Sequence, residues 1–155
     1  MKKLFISFLL SIIINISYSQ IRVENTIHLP IFFSYGYYES ADTDNKGFYT
    51  KGWWKILPNE TITINVPFSF ITHPTIYYTF NSDKGNFRTK EQTDGKNNFL
   101  LLVDPVNPFF IRNAHMNYVK DNNPNYEYRY FNTKNLTLSQ AQQQTCNIII
   151  SYNDL

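Results

Sequence analysis

The chain has 155 residues, enough for one domain with its own core and short for two. Its 14 Lys+Arg stand against 12 Asp+Glu, and Lys2 and Lys3 belong to an N-terminal leader, so the remainder is balanced and its charges are scattered. That balance argues against nucleic acid or an anionic membrane as partner, and a single cysteine, Cys146, rules out an intramolecular disulfide.

The leader reads MKKLFISFLLSIIINISYSQ. Two lysines, an apolar run from Leu4 to Ile16 and small residues at Ser17 and Ser19 predict a signal peptide over residues 1–19. A membrane anchor is the competing reading. The run is broken by Ser7, Ser11 and Asn15 and falls short of the roughly 20 apolar residues a span needs. No cysteine follows it to carry a lipid. One mature domain over 20–155 is expected in the periplasm or outside the cell, with no stable membrane insertion after cleavage.

The mature part is predicted to be β-structure. The chain carries 13 Phe and 12 Tyr, and aromatic and β-branched side chains suit a pleated, half-buried surface. IRVENTIHLPIFFSYGYYES predicts one long or kinked strand, interrupted at Pro30, which cannot donate to a ladder. Polar residues 40–47 predict a turn, FYTKGWWKIL a second strand and LPNE a Pro-Asn turn. TITINVPF alternates strictly, with Ile62, Ile64, Val66 and Phe68 on one face and Thr61, Thr63 and Asn65 on the other. TIYYTF, FRTK, FLLLV and PFFIR are further strands, the last two joined by DPVNP. NAHMNYVKDNNPN is looser, YEYRYF is a strand, NTKNLTLSQAQQQT has room for one helical turn, and CNIIISY closes the chain. About eight short strands without an amphipathic helix predict a single antiparallel β-sandwich or barrel-like domain.

Candidate chemistry is sparse. DTDNKG superficially resembles a calcium loop, but Lys46 and Trp53 stand where ligands belong. His28, His73 and His115 lack the close spacing of zinc ligands. Glu39, Asp83, Glu91 and Asp94 are free to pair for glycoside hydrolysis, though their spacing equally suits solvated loop charges. There is no nucleophile elbow, phosphate loop or dinucleotide motif. Cys146, ahead of Ile148–Ile150, reads as a buried thiol. No catalytic residue, metal or cofactor is expected.

The aromatics remain. Trp53 and Trp54 are adjacent, so in a strand they point to opposite faces, as do Tyr37 and Tyr38, and Tyr77 and Tyr78. One member of each pair fills a core and the other is free to bind or to brace a neighbouring strand. Trp53, Trp54, Tyr37 and Tyr38 are the candidate binding residues.

GWWKILPNE, Gly52 to Glu60, resembles the most recognisable motif of the DUF1036 family, small exported bacterial proteins of uncharacterised function. IYYTFNSDKGNF and YEYRYFNT are similar to that family's Tyr-Tyr strand and late aromatic strand. The chain departs from it at Glu24, where an early cysteine is expected, and at Pro58-Asn59, where Pro-Gly is usual. The resemblance implies an exported β-domain and no activity. The expected function is a non-enzymatic binding module for an envelope or extracellular protein. The alternatives are glycan binding through exposed aromatics and a carboxylate-based hydrolase.

Overall fold

The structure, a computed structural model, describes residues 18–40, 47–82 and 98–154. In chain order the elements are β1 (Ser19–Asn25), β2 (Ile31–Glu39), β3 (Gly47–Ile56), β4 (Thr61–Val66), β5 (Thr75–Ser82), β6 (Asn98–Val103) and β7 (Phe109–Arg112). A short helix α1 (Asn117–Asp121), β8 (Glu127–Asn135), a second short helix α2 (Leu138–Gln142), β9 (Thr145–Ile150) and a 3-10 turn (Tyr152–Asp154) follow. The nine strands form a three-stranded sheet, β4-β1-β9, and a six-stranded sheet, β6-β8-β5-β2-β3-β7. All pairings are antiparallel except β1 with β9. The all-β sandwich or barrel-like class expected from the sequence is what the chain adopts.

One expectation is corrected. Residues 20–39 are two strands in different sheets, and Pro30 lies in the connection between them. The cause is Asn25, fully buried at the end of β1. Its Nδ2 donates to the carbonyls of Leu29, Ile56 and Leu57, while its Oδ1 accepts from Ile27 N–H at 3.0 Å. This side chain satisfies the backbone that leaves the ladder, and the chain crosses from one sheet to the other. The predicted strand FRTK lies outside the described residues, as do most of the 40–47 turn and the turn after β5.

Period-two patterning fills the space between the sheets. Ile21 and Val23 of β1, Ile64 and Val66 of β4 and Cys146, Ile148 and Ile150 of β9 face Ile31, Phe33, Tyr35 and Tyr37 of β2 and Ile76 and Phe80 of β5. Ile62, Phe68 and Trp54 are partly buried against this core. Ile149, between two buried neighbours, is 59% exposed. Helix α2 caps one end, started by a capping box in which Thr137 and Gln140 each bond the other's backbone N–H.

A second core lies within the curl of the larger sheet. Thr50 Oγ1 donates to Leu102 O at 2.7 Å, Leu102 N–H to Ala114 O at 2.8 Å, and Ala114 N–H to Phe48 O at 2.9 Å. These bonds draw β6 back towards β3, making a half-barrel around Tyr77, Leu101, Val103, Phe109, Ile111 and Phe131. Gly36 permits the closure. A Cβ there would meet Tyr49 O at 2.9 Å and Leu101 Cδ1 at 3.2 Å.

Candidate functional site

The concave face of the curled sheet is plugged at its waist and open towards both ends. Strand β2 runs from Phe32 at one end to Tyr38 at the other. Its antiparallel neighbours place Trp53 and Asn81 near the first end, and Phe48 and Tyr77 near the second. Each end holds a cleft.

The first cleft, of about 330 Å³, is lined by Tyr38, Phe48, Tyr77 and Phe99, with Ser40, Thr72, His73, Pro74 and Thr75 at its rim. The rings touch in sequence: Tyr38 to Phe48 at 5.0 Å, Phe48 to Tyr77 at 5.3 Å and Tyr77 to Phe99 at 4.7 Å between centroids. Tyr38 is 37% exposed and Phe99 39%, and the adjacent Leu100 on β6 is 48% exposed. Burial pushes the Tyr77 hydroxyl up from its ordinary range. At the rim, His73 Nε2 is 3.3 Å from Glu39 Oε1 and its Nδ1 is 2.8 Å from Thr72 Oγ1. The Thr72 hydroxyl is bonded to Ser69 O at 3.0 Å, so it closes its own turn.

The second cleft, of about 310 Å³, is lined by Phe32, Trp53, Asn81, Ser82, Pro105 and Val106. A β-bulge builds it. Phe33 pairs with Trp54 and Ser34 with Gly52, which leaves Trp53 unpaired and turned to the concave side. Gly52 makes room, because a Cβ there would lie 2.7 Å from Ser34 Cβ and 3.2 Å from Phe109 Cε1. Trp53 Nε1 donates to Asp104 O at 2.7 Å, and the ring meets Phe109 edge-on at 5.4 Å. The carboxylate of Asp104 holds the Pro105–Asn107 turn, accepting from the N–H groups of Val106 and Asn107 at 2.9 Å. Arg129 Cζ stands 5.3 Å from the Trp53 ring, its side chain only 10% exposed, and its Nε is 2.5 Å from Glu127 Oε1. Arg129 Nη1 and Asn81 Oδ1 are buried without a partner.

The four candidate residues are therefore not brought together. Trp53 lines the second cleft and Tyr38 the first. Trp54 is packed against the inter-sheet core, stacked on Tyr35 at 5.4 Å. Tyr37 is 8% exposed, stacked on Tyr49 at 5.1 Å, and burial first, with Tyr49 and Glu39 nearby, raises its hydroxyl's pKa. Phe48, Phe99 and Asn81 line these clefts, and Arg129 stands over the Trp53 ring, without being singled out from sequence. The isolated Arg in YEYRYF was the one available signal, since an arginine amid alternating aromatics needs a partner on its own face.

Cys146 is fully buried, and desolvation pushes its thiol up to about 12. Among the described residues no three His, Cys, Asp or Glu side chains gather as a metal site, and no helix is long and apolar enough to cross a membrane. Asp83, Glu91, Asp94 and most of the DTDNKG segment lie outside the described residues. Neither a family model, nor a curated protein, nor a solved structure matches this chain.

Proposed function

We propose that the chain is an exported, non-catalytic binding domain that engages an envelope or extracellular protein at the Tyr38–Phe99 end of its curled sheet. The observation that carries this reading is the run of linked rings Tyr38, Phe48, Tyr77 and Phe99, whose outer members Tyr38 and Phe99 are 37% and 39% exposed in a chain that already has two cores. Linked aromatics whose outer rings are exposed, rimmed by hydroxyls, suit an interface centre. Export rests on the leader. Cleavage after Ser19 removes a side chain that bonds Gln144 and the N–H of Phe70, yet that N–H keeps Gln144 Oε1 as acceptor at 3.0 Å. The Gly-Trp-Trp resemblance to exported proteins agrees with this and adds no activity.

A photo-reactive residue at position 99 of the exported chain tests the reading. The expected result is one defined protein adduct on a chain whose mass begins at Gln20. An unadducted chain, or one that retains its leader, contradicts it.

Glycan recognition is the second reading. It is favoured by Trp53, half-buried in a cleft beside Asn81 and Ser82.

A further inference from the structure

We propose that the Phe32–Trp53 end of the curled sheet is a subsite for a neutral saccharide, a reading that rests on the chain being a binding domain. The cleft's volume of about 310 Å³ suits one sugar unit at the small end of ligand pockets. Its walls are apolar (Phe32, Trp53, Pro105, Val106) and its polar lining is an amide and a hydroxyl, Asn81 and Ser82. The C–H face of a pyranose packs on aromatic walls while its hydroxyls take up such groups.

Two buried side-chain atoms lack partners: the acceptor Asn81 Oδ1, on a residue that lines the cleft, and the donor Arg129 Nη1, on a residue over the Trp53 ring. A buried polar group left unpaired is destabilising, so Asn81, in the lining, gains from a ligand group that donates to its amide oxygen. A sugar hydroxyl does so. Asn81 lines the cleft, and rotation of its amide about the broad Cβ–Cγ torsion turns the oxygen towards an incoming hydroxyl.

Charge selects among ligands. Glu127 Oε1, 2.5 Å from Arg129 Nε, offsets the guanidinium, so the spare N–H suits a neutral oxygen better than an anion. Arg129 also covers part of the indole, with its Cζ 5.3 Å from the ring. A nucleobase needs an open ring face, whereas a sugar needs only a patch of it.

The test is an NMR titration of the exported chain, following the indole N–H signals of its two tryptophans, assigned with Trp54→Phe. The probes are the methyl glycosides of glucose, galactose and mannose, xylose, N-acetylglucosamine and their disaccharides, with glucuronate, adenosine and uridine as further arms. The expected result is that a neutral saccharide shifts the Trp53 signal saturably and leaves that of Trp54 in place. Asn81→Leu then weakens binding at least about tenfold with the melting temperature unchanged or raised, because an unpaired buried group is removed. Val106→Arg, at a side chain 80% exposed on the rim, weakens it without touching either core.

No saturable shift from any neutral saccharide overturns the proposal, as does a response confined to glucuronate or the nucleosides. Affinity unchanged in Asn81→Leu and in Val106→Arg also overturns it, since the unpaired groups then hold only internal water. The position-99 adduct reports on the other end of the sheet, so failure here and failure of the binding-domain reading are separable.

Discussion

Single residues decide where this chain turns and what stays inert. Asn25 bonds four backbone groups around the crossing from β1 to β2, so its loss strands one backbone donor and three carbonyls at once, with the Ile27 and Ile56 bonds fully buried. Asn25→Ala is expected to destabilise the fold by more than about 2 kcal/mol in chemical denaturation, the penalty of leaving buried groups unpaired. A loss within experimental error contradicts that role. Cys146 is governed by burial. Its thiol is raised from 9.0 to about 12, so the folded chain keeps a proton that the unfolded chain gives up. The stability it contributes is complete below pH 9.0 and is lost as pH rises towards 12. Denaturation measured across that interval is expected to show a steeper loss for the wild-type chain than for Cys146→Ala. Equal slopes contradict it, as does rapid labelling of the native thiol at neutral pH. The asparagine's part was not legible in VENTIHLP, because its partners Ile56 and Leu57 are distant in sequence.

At the scale of elements, alternation was readable and partnership was not. Ile62, Ile64 and Val66 fall on the inner face of β4 as the TITINV pattern requires, because a period of two is a local property. Ile64→Ala is expected to cost roughly 2–5 kcal/mol, while Thr63→Ala, on the exposed face, stays within about 0.5. Comparable losses for both would put the strand's facing in error. The tryptophan pair divides between faces for the same local reason, Trp54 to the inter-sheet core and Trp53 to the curl. Which cleft Trp53 enters depends on the bulge opposite Phe33 and Ser34 and on the Asp104 turn that takes its N–H. Neither is encoded within the Gly-Trp-Trp stretch. Likewise, CNIIISY announces a buried strand, yet its parallel pairing with β1, more than 100 positions earlier, could not be read from it.

For the molecule as a whole, the fold class followed from composition and strand spacing, while the two clefts followed from curvature. Closure of β6 towards β3 through Thr50, Leu102 and Ala114 curls one face of the sheet into a half-barrel with an aromatic-lined cleft at each end. That closure joins residues more than 50 positions apart, so Tyr38 and Phe99 belong together only once the sheet curls. We propose that partners enter at the ends of this curl and not on the open face of the small sheet. The most direct measurement compares photo-crosslinking of the chain from position 99 with that from position 63, on the exposed face of β4. The account predicts a discrete adduct from 99 and none from 63. Equal labelling from both, or an adduct from 63 alone, would contradict it.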